Sequence, residues 1–216
     1  MINFLREAKE KENRMKPSKG KLEVIAGSMF SGKTEELLYR LRRAEYAKKR
    51  VITLKHEIDN RKSYKCVVSH DGALREAHSI SSCEEGLKTL KRMALEEIDV
   101  IGMDEIQFFP EETLDVIDHL VEKGKRVIVA GLDLDFRGVP FGIVPDLMAF
   151  ADEVIKLRAI CLSCGNEANF TQRLINGHPA KFDDPVVLVE GEECYEPRCR
   201  NCYHMEKPSH CLMSNG

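Results

Sequence analysis

Short runs rich in branched apolar residues alternate along the chain with longer stretches whose apolar positions recur at helical spacing. The runs cover residues 22–26, 50–55, 98–103, 126–130 and 153–157. Each has the length of a strand, and several are apolar almost throughout, the signature of strands covered on both faces. Between the first two, residues 34–48 place Leu37, Leu38, Leu41 and Ala44 on one helical face. Arg40, Arg42, Arg43 and Lys48 lie elsewhere, so the arginines are expected on the wet side. Ser82-Cys83-Glu84-Glu85 has the form of a capping box with Ser82 as cap, opening a helix whose apolar residues include Leu87, Leu90, Met93 and Leu95. A third helix is expected from Pro110 to Lys123, carrying Leu114, Val116, Ile117, Leu120 and Val121 and stopped by Gly124. Residues 143–151 read as a short fourth. Strands and helices in alternation predict an α/β domain with a mostly parallel sheet and flanking helices.

The pattern fades in three places. Residues 1–20 are dense in Lys, Arg and Glu and are expected to be a disordered leader. Residues 62–80 are irregular, with a turn signal at Ser69-His70-Asp71-Gly72, where His70 reads as structural. Residues 205–216 are expected to be a flexible tail. The organisation is then a leader over 1–20, a nucleotide-binding domain over 21–157, a small metal-binding domain over 158–204, and the tail.

Composition narrows the function classes. A chain of 216 residues has room for one main domain and an appendage. Its net charge of −3 argues against sequence-independent nucleic-acid binding, which needs a cationic excess. No stretch approaches the roughly 18 apolar residues of a membrane span, and the first residues lack an apolar signal core. A cytoplasmic location is expected, where thiols stay reduced. The 8 cysteines then need a reason other than disulfides.

Residues 27–34 read Gly27-Ser28-Met29-Phe30-Ser31-Gly32-Lys33-Thr34 and fit G-x-x-x-x-G-K-[ST] at every fixed position. Gly27 and Gly32 let the backbone turn tightly and aim its N–H groups at a polyphosphate. Lys33 supplies a point charge for the outer phosphates and Thr34 a hydroxyl for Mg²⁺. A strand enters the loop and a helix leaves it, adding the positive end of the helix dipole. The fold class is therefore a P-loop NTPase core of RecA-like type. An acid at the end of a hydrophobic strand is its second half, and Asp104 fills that role, holding Mg²⁺ through water. Glu105 stands one residue beyond, at the edge of the site, either as a working carboxylate or as a surface or second metal neighbour. Asp59 and Arg61 follow the strand at 50–55, where they reach metal or phosphate or sit in a solvated turn. The stretch from Gly131 to Gly142 is Gly-rich, and its rings Phe136 and Phe141 either line a flat apolar pocket or close the core.

Cys161-Leu162-Ser163-Cys164 and Cys199-Arg200-Asn201-Cys202 form two C-x-x-C pairs that together suit one tetrahedral Zn²⁺. Four thiolates leave no open position, so the metal is expected to be structural. His204, Cys194 and Cys211 are less well placed substitutes, while Cys66 and Cys83 read as incidental. The two pairs stand 35 positions apart, so the metal is expected to clamp the base of one long loop over 165–198. Its apolar closing part is Val186-Val187-Leu188-Val189-Glu190-Gly191.

A phosphate loop, then Asp104-Glu105-Ile106-Gln107-Phe108-Phe109, then a two-pair cysteine clamp is a recognisable order. With Phe136-Arg137-Gly138-Val139-Pro140-Phe141-Gly142 and Tyr195 before the last pair, the chain resembles the thymidine kinase family of the zinc-containing type. The resemblance runs from about Lys21 to His204. It implies transfer of the γ-phosphate of ATP to the 5′-hydroxyl of thymidine, and of deoxyuridine, in nucleotide salvage. It implies that Glu105 is the general base, and that the residues of 27–34, with Asp59, Arg61, Asp104 and Gln107, serve ATP and Mg²⁺. Met29, Phe108, Leu132, Phe136, Phe141 and Tyr195 would surround the nucleoside. Thr171 and the backbone of Val186, Val187, Leu188, Val189 and Glu190 would hold the base. The family implies a homotetramer inhibited by thymidine triphosphate, with no nucleic-acid or membrane partner. Two other classes fit parts of the chain: a nucleic-acid-dependent ATPase with a zinc ribbon, and a nucleotide-operated binding module. The acidic balance disfavours the first, and the second leaves Glu105 without a task.

Overall fold

The apolar runs pair side by side because each can bury both faces only inside a sheet covered by helices. The structure, a computed structural model, describes residues 19–57, 66–68, 74–81, 84–186 and 193–206. Its central strands are β1 (Lys21–Gly27), β2 (Val51–His56), β5 (His78–Ile80), β6 (Val100–Asp104), β7 (Arg126–Gly131) and β8 (Glu153–Leu157). The short pair β3 (Cys66–Val68) and β4 (Leu74–Glu76) is antiparallel and separate. The six central strands run in the order β5-β2-β6-β7-β1-β8, every pairing parallel. All their C-terminal ends therefore open on one edge. Strand β7 lies between β1 and β6, so its loop emerges between the phosphate loop and Asp104.

Helices cover both faces. On one side Leu37, Leu41 and Ala44 of α1 (Lys33–Tyr46) pack on Ile25, Val100, Ile128 and Ala130. A side chain at Gly102 would come within 2.5 Å of Leu41, so glycine lets α1 lie close to β6. On the other side α2 (Glu84–Met93), α3 (Thr113–Glu122) and α4 (Val144–Phe150) bury Leu90, Ile117, Leu120 and Leu147 against Val24, Leu54, Met103 and Val129. Each such side chain contributes about 1.5–3 kcal/mol. Among the described residues no helix is long and apolar enough to cross a membrane.

Several expectations shift. The helix at Pro110 begins at Thr113, after turns in which Thr113 and Leu114 donate to the Pro110 and Glu111 carbonyls. Leu95 lies past the end of α2 and is 84% exposed, because the helix stops at Met93. The Ser82 cap, the 69–72 turn and residues 1–18 and 207–216 lie outside the described residues.

Arg40 is not on the wet side. Glu23 of β1 points toward α1 and is almost wholly buried, where it accepts from Arg40 Nη1 at 2.6 Å and Arg126 Nε at 2.7 Å. Arg40 also reaches Glu36 and Glu153. Burial by itself would push the Glu23 carboxyl up, but the Arg126 and Arg40 guanidinium groups outweigh it and hold the group down to about 2, against an ordinary 4.5. A depressed folded value means stability that is present above 4.5 and lost as the pH falls toward 2. Glu23→Gln should cost about 3 kcal/mol near neutrality. In urea unfolding followed against pH, the gap from wild type should stay constant above 4.5 and close toward 2. A gap that persists in acid would count against the ion cluster.

The second unit is not one long loop. It holds β9 (Ala159–Ile160) paired with β10 (Glu167–Ala168), and a sheet of β11 (Phe170–Ile175), β12 (His178–Pro179) and β13 (Glu193–Arg198) in the order β12-β11-β13. Strands β11 and β12 are joined by Asn176 (φ 51) and Gly177 (φ 79), the left-handed pair that a two-residue hairpin turn requires. The Asn-Gly dipeptide is a hairpin signal that the reading of 165–198 as one loop passed over. The segment 187–192 lies outside the described residues.

Candidate active site

Strand β1 delivers the phosphate loop to the open edge of the sheet. Gly27 at φ 148 and Gly32 at φ 83 take up the turn, and a side chain on Gly27 would come within 2.5 Å of the Leu157 carbonyl of β8. Ser31 Oγ donates to the Ser28 carbonyl at 2.8 Å, and Lys33 Nζ donates to the same oxygen at 2.7 Å. The lysine ammonium is thus folded over the loop that it would share with a phosphate. Glu36 N–H donates to the Gly32 carbonyl, the first bond of α1.

Thr34 and Asp104 meet at the start of α1. Thr34 Oγ1 donates to Asp104 Oδ2 at 3.0 Å, and Glu105 N–H donates to Asp104 Oδ1 at 3.0 Å. Asp104 is buried at the end of β6. Burial is the main influence on its carboxyl and the charge of Glu105 the next. Together they push it up to about 7 from 3.8, against the Thr34 hydroxyl, the Glu105 N–H and Lys33. A hydroxyl and a buried carboxylate this close are hard oxygen donors of the type that suits Mg²⁺. Lys55, buried on β2, is the register partner of Asp104 and was passed over in the sequence.

Glu105 takes a left-handed backbone, φ 54 and ψ 41, at the head of a 3₁₀ turn over Ile106–Phe108. Such a conformation costs a non-glycine residue about 1–3 kcal/mol and must be held by its surroundings. Gln107 supplies part of that hold: its Nε2 donates to Glu105 Oε2 at 2.5 Å, while its Oε1 accepts from Leu132 N–H at 3.0 Å. These two side-chain bonds of Gln107 link Glu105 to the loop after β7.

That loop, 132–142, folds on itself. Asp135 Oδ1 accepts from the Arg137 and Val139 N–H groups, and Phe141 N–H donates to the Asp133 carbonyl. Phe108 and Phe141 meet edge to face, ring centres 5.6 Å apart, and both stay half-buried. His56 lies 6.0 Å from Phe108. Phe136 is buried, and the Arg173 guanidinium sits 5.0 Å from its ring centre. Phe136 thus joins the two units, while Phe108 and Phe141 keep part of their surface exposed. Two contacts tie the second unit to the phosphate loop: Met29 N–H donates to Thr171 Oγ1 at 3.0 Å, and Ser28 Oγ donates to the Ala168 carbonyl at 3.4 Å. Tyr203 adds a further tie between the units, donating its phenol to the Phe136 carbonyl at 2.7 Å and stacking on Phe170. Arg173, wholly buried, donates through Nη1 to the Pro185 carbonyl and so anchors the chain just before Val186. Tyr195 faces Arg173 across the β11–β13 register. Asp59, Arg61, Val187, Leu188, Val189 and Glu190 lie outside the described residues.

Cys161, Cys164, Cys199 and Cys202 gather at the base of the second unit, their sulfurs all within 4.8 Å of one another, and the described cysteines are free thiols. Four thiols in that space can hold a metal ion. His204 is outside the cluster; its backbone N–H and carbonyl are both taken by the Gln172 amide, at 2.8 and 3.0 Å.

The chain was also compared with models of known families. The thymidine kinase family model matches residues 20–203. The match begins one residue before β1 and ends one residue after the last cysteine of the cluster, so both units lie within it. The chain therefore belongs to the thymidine kinase family and is a kinase by that membership.

Proposed function

We propose that the protein transfers the γ-phosphate of ATP to the 5′-hydroxyl of thymidine, and of deoxyuridine, giving the 5′-monophosphate for DNA synthesis. One observation carries the reading: Glu105 stands directly after the Thr34–Asp104 pair and is joined through Gln107 to the loop that brings Phe141 edge to face with Phe108. Backbone N–H groups of the phosphate loop and Lys33 hold the triphosphate. Mg²⁺, held by Thr34 and by Asp104 through water, supplies charge neutralisation on the phosphates when bound. Phe108, Phe141, Leu132, Met29 and Tyr195 form the walls for the nucleoside, with Thr171 and residues 186–190 reading the base. Glu105 takes the proton from the 5′-hydroxyl as its oxygen attacks the γ-phosphorus and the bond to the ADP oxygen breaks. In-line positioning and charge stabilisation do most of the rest.

The remaining parts of the proposal follow the family. The four cysteines hold structural Zn²⁺ of the zinc-containing type, thymidine triphosphate inhibits by taking the nucleoside site, and the enzyme is a cytoplasmic homotetramer. The deciding assay is ADP release from ATP and Mg²⁺ with thymidine alone, with DNA alone, and with neither. Release should depend on thymidine and ignore DNA. ADP formation that follows DNA and ignores thymidine would sink the kinase reading.

A further inference from the structure

Gln107 sits at the neck of the 132–142 loop. It is 3% exposed, and the loop both starts and ends on it. At the start, Leu132 N–H donates to its Oε1. At the end, Gly142 has φ 53, and a side chain there would come within 2.2 Å of the Gln107 carbonyl oxygen. Gly131 presses from the other side, where a side chain would come within 2.8 Å of Oε1. Only one orientation of the amide satisfies these neighbours. Leu132 N–H needs an acceptor and the Glu105 carboxylate needs a donor; the flipped amide would set donor against donor and acceptor against acceptor. The side chain is therefore a polarised link between the Glu105 carboxylate and the first peptide of the loop. Glu105, in a left-handed backbone, depends on such neighbours for its aim.

We infer that Gln107 is a positioning residue that couples the aim of Glu105 to the seating of the 132–142 loop, so that proton removal is efficient only when that loop is in place. The inference rests on the reading of Glu105 as the base. The two ends of the amide can be tested separately. Gln107→Glu keeps the volume and the acceptor for Leu132 but loses the donor to Glu105. Gln107→Met loses both. Misplacing a reacting group by about 1 Å can cost about 100-fold, so Gln107→Glu should lower kcat by about 10- to 100-fold with the KM for thymidine and for ATP within about twofold of wild type. Gln107→Met should show a similar fall in kcat and, with the loop released, a rise of about fivefold in the KM for thymidine. In the Glu105→Ala background, Gln107→Glu should change kcat by less than about twofold, because its only route to the chemistry is gone.

Metal content and the unfolding midpoint, matched to wild type, show that each variant is folded. Should Gln107→Met fail that check, Gln107→Glu carries the test, since it keeps the side chain's size and the acceptor for Leu132 while setting a carboxyl against Glu105 in place of the amide donor. A Gln107→Glu variant that keeps half or more of the wild-type kcat overturns the inference. So does an equal loss with and without Glu105, which is what a purely structural role would give. Wild-type protein that makes no ADP in response to thymidine removes the kinase reading and this inference together. Active wild type with an insensitive Gln107 overturns this inference alone.

Discussion

Glu105→Gln should lower thymidine-dependent turnover by about 10²–10⁴ while ATP still binds. The amide has nearly the carboxylate's size and can still accept from Gln107 Nε2, so the local fold is preserved. What it loses is the ability to take a proton from the acceptor hydroxyl. The groups proposed to meet the triphosphate are different ones: Lys33 lies over the Ser28 carbonyl, and Thr34 bonds to Asp104. Affinity for ATP, measured by calorimetry, should therefore stay close to wild type while steady-state ADP formation collapses. Near-normal turnover would remove Glu105 as the base. A joint loss of turnover and ATP binding would point to the phosphate loop instead.

Cys161→Ser should abolish metal binding and thymidine binding together. Cys161 is buried and packs with Ala159, Ala168 and Cys199 in a core too small to stand alone. A structural zinc contributes an apparent 10–16 kcal/mol, against a whole-domain stability of about 5–15 kcal/mol. Without the metal, the turn from β9 to β10 has little to hold it. The effect should reach the proposed nucleoside site because Ala168 and Thr171 receive the Ser28 hydroxyl and the Met29 N–H. Metal content by atomic absorption and thymidine titration of the same sample should both fall to background, and prolonged chelation of wild type should reproduce the pair of losses. A serine variant with full metal and normal thymidine affinity would contradict the clamp.

The parts of the site that could be read in the chain are those whose chemistry is local. Residues 27–34 are contiguous, so their glycines, lysine and threonine announce a phosphate loop without any partner. The two C-x-x-C pairs are each local, and only their meeting is long-range. Asp104 was legible because a strand ending in an acid has few other meanings beside such a loop. Gln107 was harder: its place in the same motif suggested ATP and Mg²⁺, but its two partners are Glu105, 2 positions away, and Leu132, 25 positions away. Tyr203 and the Phe136 carbonyl are 67 positions apart, and nothing near either announces the bond. Arg40 misled for the same reason. On α1 it looked like solvent-facing charge, because Glu23 and Glu153 that enclose it come from strands 17 and 113 positions away.

Hydrophobic periodicity by itself determined five of the six central strands, the helices that cover them and the parallel sheet, because burial on one or both faces is written in the spacing of apolar residues; β5 and the short strands of the second unit left no such pattern. Short motifs pointed to residue types suited to phosphate and metal. Only the tertiary structure decided which neighbour each polar side chain would take. Buried hydrogen bonds and ion pairs join atoms brought together by strand order and helix packing, and a partner chosen that way leaves no periodic trace in the chain. Strand β7, inserted between β1 and β6, is the plainest case: it sets the 132–142 loop between the phosphate loop and Glu105, and so puts Gln107 where it can touch both Glu105 and the loop.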